Sequence, residues 1–513
     1  MGLGNTKRTP VRLFISISQR VFLFATLGFF AVGAGATEPD AGAAKRDGVW
    51  KAGTAKAIIT PDSPLWMAGF GARTNVSRGK LQELYAKALA LEDQDGRRSV
   101  LVTTDLVGFP APIAKTIADR VNQQHGLARE RLILNSSHTH SGPQVSDRLI
   151  FWNDWRMSPA QVRDIEDYTR GLEDKVVGVI GTALSNLQPA RLNFGRTAMR
   201  FAVNRRLKTE TGYYASFVPN PAGPVDHDVP LLRIDSDGGL LRGVVFGYAC
   251  HTSTLLSDNY HFSGDYAGFA QAWLEQHHPD ATAFFVQGCG GDIMVSPRGT
   301  VELAQKYGEL LAAAVEQAVH GATRPIRGSL HCGFEVVPVA FAPPPSRAEL
   351  EARAQGKGTE SARQAREFLR ASADELQSHA QELLKVLDRD GRLPTEYPYP
   401  LQVWQFGQDL TFVALAGEPV ADYALRLKKE LGADKLWVAG YCNDMFAYIP
   451  SRRVLERLRR VLCRATFLRS PPPSSASRGC PPRRCRGRYR MLRTRCRPTP
   501  RPRPRRRPAG PTR

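Results

Sequence analysis

Acidic residues are missing from one end of this chain: between Arg457 and Arg513 there are 20 Arg and no Asp, Glu or Lys. That absence excludes a packed core or an amphipathic element for residues 457–513, because like charge is dense and apolar surface is too sparse to collapse. It also locates the charge of the protein: of the formal +21, the 20 arginines leave only +1 for residues 1–456. A folded part that close to neutral gives no reason to expect a nucleic-acid partner. Cysteine is scarce too, eight in 513 residues with no C-x-x-C pair. Cys250, Cys289, Cys332 and Cys442 are scattered, and Cys463, Cys480, Cys485 and Cys496 fall in the Arg-rich segment. This excludes a cysteine framework, and a chain with 42% hydrophobic residues builds a core without one. No internal repeat occurs, which excludes a solenoid. The sequence GCGGD at 288–292 lacks the Lys and spacing of a phosphate loop and the third Gly of a dinucleotide fingerprint, so it reads as a tight turn after a strand.

At the amino terminus Lys7, Arg8, Arg12 and Arg20 precede an apolar run at 21–32, and Ala34 and Ala36 then form an A-x-A pattern. These features predict a signal peptide over 1–36 and an exported protein, secreted or periplasmic. The alternative, an uncleaved anchor, needs about 20 apolar residues, more than the run supplies.

What the chain does have is a series of short β-branched or apolar runs, each stopping at a polar residue able to bind a metal or a substrate. The runs at 99–104, 131–137 and 243–250 stop at Asp105, His138 and His251, those at 281–287 and 410–417 at the GCGGD turn and Glu418, and that at 436–441 at Asn443 and Asp444. They read as buried strands. Helical periodicity lies between them at 112–125, 266–277 and 301–319, which gives an α/β fold. The expectation is one large domain over 37–456 with stacked mixed sheets flanked by helices, and ligands bound where strand ends converge. Ser346 and Glu349 form a capping box opening a helix; a second helix is expected over 360–387, with Phe368, Leu376, Ala380, Leu383 and Leu387 on one face, as a surface hairpin or a lid.

The segment NSSHTHSGP at 135–143 places His138 and His140 one residue apart. On a strand, residues i and i+2 share a face, so both imidazoles would enter one cleft while Thr139 points away. Imidazole suits zinc, and a catalytic zinc draws further ligands from distant segments, for which His251 and Glu418 are natural partners. The competing reading is a pair of hydrogen-bonded histidines. Ser263 to Asp265 reads as a helix cap whose charge suits the helix dipole, with a weaker reading of Asp265 as a substrate contact.

The segments SSHTHSGP (136–143), NRR (204–206), GYACHTSTL (247–255), SGDYAGFA (263–270), GCGGDI (288–293), LAGEP (415–419) and CNDMFAYIP (442–450) resemble, in order, the catalytic domain of the neutral ceramidase family. The resemblance covers about 50–456. It implies a zinc amidohydrolase acting on N-acyl sphingoid lipids or related acyl amides, with contact to a membrane surface accompanying a lipid substrate. It implies zinc ligands His138, His251, Glu418 and Tyr448, with His140 and Arg205 at the substrate or the attacking water. Asp292 and Ser296 are weaker candidates for substrate contact: where the family's ceramide-cleaving members carry Ser two residues after the Asp, this chain has Met294, and Ser296 lies two residues farther on. The family's Tyr-Glu-Gly motif after the zinc-binding Tyr is also missing. Yet Arg457-Leu458-Arg459-Arg460 and Val461 can be encoded by bases that, shifted by one, read Gly-Tyr-Glu-Gly, and excess Arg and Pro is what GC-rich DNA yields out of frame. Residues 457–513 are therefore expected to be a frame-shifted, disordered tail; a genuine basic tail for nucleic acid or anionic lipid is the alternative.

Overall fold

The apolar runs fold as buried strands because alternation sends two kinds of side chain to two kinds of neighbour. The computed structural model describes residues 50–146, 157–208, 214–357 and 373–455. The expected signal segment, Phe368 and the Arg-rich segment 457–513 lie outside the described residues. In chain order the main strands are β1 (Trp50–Ile58), β2 (Tyr85–Glu92), β3 (Arg98–Thr104), β4 (Leu132–Ser136), β5 (Gln188–Ala198), β6 (Ala202–Lys208), β7 (Tyr214–Asn220), β8 (Asp228–Ser236) and β9 (Leu241–Tyr248). They continue with β10 (Thr282–Gln287), β11 (Ile293–Val295), β12 (Leu330–Ala340), β13 (Glu396–Phe406), β14 (Leu410–Leu415), β15 (Glu418–Pro419), β16 (Leu436–Ala439) and β17 (Tyr448–Ile449).

A nine-stranded sheet runs β10-β9-β8-β5-β1-β2-β3-β4, with Arg324–Pro325 pairing on β5. It is mixed: β3/β4 and β9/β10 are parallel, the other neighbours antiparallel. A four-stranded sheet runs β12-β13-β14-β16, with β14/β16 parallel. On β2, Leu89 and Leu91 face the smaller sheet while Ala86, Ala88 and Ala90 face helices, so period-two alternation gives bulk to one side and close approach to the other. Between the sheets Leu101, Ile133 and Phe284 meet Trp404, Phe412 and Trp437.

Helices α1 (Ala111–His125) and α2 (Pro159–Ser185) cover one half of the larger sheet through Ile117, Leu172 and Ile180. Helices α3 (Asp265–His277) and α4 (Val301–Val319) cover the other half through Ala270, Leu274, Leu311 and Val315. The hairpin helices α5 (Arg347–Ala354) and α6 (Ala373–Asp390) pack on each other through Leu350 and Ala380, and Ser346 caps α5 by accepting from the Glu349 amide. Helix α7 (Ala421–Leu431) closes the outer face of the smaller sheet with Ala424 and Leu427. The result is four layers, helix on sheet on sheet on helix, as expected from the alternating runs. Among the described residues no helix is long and apolar enough to cross a membrane.

One side chain pins the two sheets where the site forms. Asn135, fully buried on β4, donates from Nδ2 to the Gly440 carbonyl at 2.8 Å, and its Oδ1 accepts from the Gln287 amide at 3.0 Å. It thus ties the end of β10 to the segment after β16. Removing it leaves a buried N–H and a buried C=O without a partner, each costing about 1–3 kcal/mol. Asn135→Ala is expected to lower the unfolding free energy by about 2–4 kcal/mol, read from urea melts, with metal affinity falling in parallel because the pinned segments carry the site.

Candidate metal centre

His138 and His140 reach one cleft, but not from a strand. β4 ends at Ser136, and His138 has a left-handed φ of 61°. The expected strand alternation is corrected: a turn, held by the Ser137 amide on the Thr104 carbonyl and the His140 amide on the Thr252 carbonyl, aims both rings inward. Thr139 does point away, donating to the Ser263 carbonyl at 2.7 Å. Gly69 leaves room for the pair, since a Cβ there would lie 2.6 Å from the His140 ring.

His251 follows β9, and Glu418 begins β15. Because β15 pairs in parallel with β17, Glu418 and Tyr448 are side-by-side partners. Arg205 comes from β6, its amide bonded to the Asp292 carbonyl at 2.8 Å. The GCGGD turn, as expected, is tight, with the Gly290 amide on the Gly288 carbonyl. Gly291 there admits no side chain, since its Cβ would lie 2.4 Å from the Glu418 carbonyl oxygen.

The three imidazoles differ in how they are held. His138 Nδ1 lies 2.7 Å from the Val107 carbonyl oxygen and His251 Nδ1 2.7 Å from that of Gly290. A carbonyl only accepts, so each Nδ1 carries a proton, and in the neutral form of each ring the Nε2 lone pair is the one turned inward. These two Nε2 atoms are 3.2 Å apart, and Glu418 Oε2 lies 3.3 Å from the first and 3.2 Å from the second. Three acceptor atoms at that spacing repel unless a cation sits among them. A tetrahedral ion with bonds of about 2.0–2.1 Å separates its ligands by about 3.3 Å, so the triangle fits zinc.

His140 differs in one respect. Its Nε2 is 3.1 Å from that of His138, and the three imidazoles offer nitrogens within 4.8 Å of one another. However, its buried Nδ1 has no hydrogen-bond partner among the described residues, so no carbonyl fixes its tautomer as for the other two. Phe70 meets its ring edge-on at 4.8 Å.

The electrostatics suit metal binding. Burial, then Arg205, pushes His251 down to about 3, and burial with the neighbouring histidines holds His140 far below its ordinary value. Burial opposes the charge of Glu418, and the Arg205 guanidinium that faces it favours the ionised carboxylate. Arg205 stays charged despite burial because the Glu418 carboxylate faces it and the Tyr448 hydroxyl accepts from it. Its Nη2 lies 3.0 Å from His251 Nε2 and donates to the Gly291 carbonyl at 2.9 Å and the Tyr448 hydroxyl at 3.0 Å. Burial, then Glu418, pushes the Tyr448 phenol up to about 12, so it is neutral here.

Sequence comparison gives this arrangement its relatives. Residues 50–433 match the family model described as neutral/alkaline non-lysosomal ceramidase, N-terminal. The chain belongs to that family. The neutral ceramidase of Pseudomonas aeruginosa is 27% identical over 226 residues, 43% of this chain and 33% of that one. Neutral ceramidase A of Dictyostelium discoideum is 22% identical over 277 residues, 49% of this chain and 37% of that one. The chain thus spans about a third of the length of the curated relatives it matches. A crystal structure of the Pseudomonas aeruginosa neutral ceramidase shares the fold with a TM-score of 0.62 at 20% identity, over 79% of this chain and 69% of that one.

Some expected residues stand one step back from the centre. Asp292 is buried and accepts from Asn204 Nδ2 and the Ala421 amide, both at 2.9 Å, so it joins β6 to α7. Asp265, the first residue of α3, accepts from the amides of Leu255 and Tyr266. It braces the loop after His251, while its own amide donates to Ser263 Oγ. Ser296 is exposed beyond β11, and Met294 is buried within it. Tyr441 was invisible in the sequence: its ring lies 4.4 Å from that of His138, and its hydroxyl is 3.5 Å from Glu418 Oε2.

If the three atoms of the triangle are ligands, His138→Ala and His251→Ala each weaken zinc binding more than the roughly 100-fold typical of losing an outer partner. Atomic absorption after dialysis checks this: a full equivalent retained by both variants contradicts the assignment.

Proposed function

We propose that this protein is a zinc-dependent amidohydrolase that cleaves the amide bond of N-acyl sphingoid, ceramide-like lipids. The observation that carries the reading is the triangle of His138 Nε2, His251 Nε2 and Glu418 Oε2 with His140 and Arg205 against it. Its family membership supports the substrate class. His138, His251 and Glu418 would hold the ion, and Tyr448 is the fourth candidate through its pairing beside Glu418. Bound there, zinc would supply an acidified water and polarise the carbonyl of the amide.

The chain's own residues supply the rest. Arg205 is a fixed positive charge whose position is set by the Gly291 carbonyl and the Tyr448 hydroxyl, so it receives negative charge developing on the amide oxygen without rearrangement. His140 is neutral and buried, with one ring nitrogen toward the centre and the other unpaired. It can take a proton from the attacking water and return one to the leaving amine, without which a C–N bond does not break. Phe70 against its ring limits its rotation. The basic and apolar residues at the amino terminus support export, so we place the reaction outside the cytoplasm, at a lipid surface.

A second reading, a hydrolase of a different acyl amide or ester, is favoured by Met294, buried where the resemblance places a serine. If residues 457 onward are out of frame, the chain binds metal but turns over slowly, since the Tyr-Glu-Gly motif is lost. A zinc-containing protein that binds without catalysis is the limit of that case.

Hydrolysis of a fluorescent short-chain ceramide by the zinc-loaded protein tests the reading. His140→Ala is expected to keep its zinc and lose about 100- to 10,000-fold in kcat, the usual span for a positioned acid–base group. Loss of metal in that variant would exchange the roles of His138 and His140; no cleavage by the unaltered chain, in this frame or with 457 onward restored, would end the ceramide reading.

A further inference from the structure

Near Arg205 lies a cation that no described residue neutralises. Arg298 follows β11 through Ser296 and Pro297 and is half-buried. Among the described residues no carboxylate pairs with it and no acceptor bonds it. Its guanidinium lies 5.4 Å from the centroid of the Phe217 ring, and that of Arg205 lies 5.0 Å from the same centroid. The two cations are therefore no farther apart than those distances together, and burial with the nearby Arg205 charge disfavours the ionised form of Arg298. A cation over an aromatic face gains a modest attraction, which does not replace the hydration and the counter-charge that a partly buried guanidinium has lost.

Phe217 is itself held in an unusual way. Asn204 on β6 faces Asn220 on β7, but Arg206 faces Ser216, so 217–219 bulge out opposite Arg205. Phe217 has φ of 60°, a region that a bulky residue enters only under local constraint, and its side chain is 49% exposed. Bulges beside active sites re-aim side chains, and this one sets an apolar ring against both Arg205 and Arg298. Leu207, two residues after Arg205 on β6, adds exposed apolar surface.

We propose that Arg298 and the exposed face of Phe217 form a subsite for an anionic amphiphile, with the alkyl part on Phe217 and a carboxylate or phosphate on Arg298. The anion has two possible sources, the substrate's own head group or a neighbouring anionic lipid in the surface that presents it. The subsite takes its setting from the amphiphile hydrolase proposed above, but its binding chemistry does not depend on turnover.

Calorimetric titration of the full chain with n-octyl phosphate and n-octyl glucoside tests it. Arg298→Gln is expected to weaken octyl phosphate about tenfold and octyl glucoside less than twofold, and Arg298→Lys to recover most of the loss. Two kinetic arms assign the source. A tenfold fall in the ratio of kcat/KM for N-octanoyl glutamate over N-octanoyl glutamine places the anion on the substrate. A fall confined to the stimulation by phosphatidylglycerol, in phosphatidylcholine vesicles carrying ceramide, places it on a neighbouring lipid. Equal weakening of both octyl ligands, no weakening of either, or no recovery with lysine overturns the subsite. A selective loss of octyl phosphate in a protein that cleaves no amide would leave the subsite standing and remove the hydrolase reading.

Discussion

Everything at this site depends on keeping three electron-rich atoms closer together than they would choose to be. His138 Nε2, His251 Nε2 and Glu418 Oε2 stand 3.2–3.3 Å apart, deep in the fold. No hydrogen bond among them is available while both Nδ1 protons are given to carbonyls. The protein therefore fixes the rings from behind, through Val107 and Gly290, and the backbone from the side, through the turn after β4 and the β15/β17 pair. Most of the unusual features nearby serve that crowding. They include the left-handed His138, the side-chain-free Gly291 and Gly69, and Asn135 tying the two sheets where their ends meet.

In the function we propose, the same crowding separates the rings that would bind metal from the one that would meet the substrate. His140 comes as close to His138 as His251 does, so distance alone does not divide the three rings. The division lies in the other nitrogen: two rings have a carbonyl behind them, and among the described residues the third has none. A ring without that anchor is free to change which nitrogen carries its proton, which an acid–base group requires and a ligand does not. Arg205 completes the proposed division, since a guanidinium held by Gly291 and Tyr448 would stay charged through such a reaction.

Much of this was legible in the sequence because strand periodicity is a local signal. The six runs that stop at polar residues do become strands, and three of those ends, at His138, His251 and Glu418, build the centre. The others brace the fold instead: Asp105 accepts from the Tyr85 amide, Asn443 from that of Leu134, and Asp444 from the Tyr397 side-chain hydroxyl. Composition does not distinguish these outcomes, since an Asp at a strand end bonds an ion and an amide equally well. The turn at His138 was hidden because a left-handed histidine leaves no mark in the pattern of apolar and polar residues. Tyr441, Phe70 and Arg298 were hidden because their importance comes from neighbours distant in the chain.

The most direct measurement is anomalous scattering at the zinc edge from crystals of the zinc-loaded protein. The account predicts one peak inside the triangle, about 2.0–2.2 Å from His138 Nε2, His251 Nε2 and Glu418 Oε2, with His140 Nε2 outside bonding distance. A peak bonded to His140 in place of either other histidine, or no peak within the triangle, would contradict it.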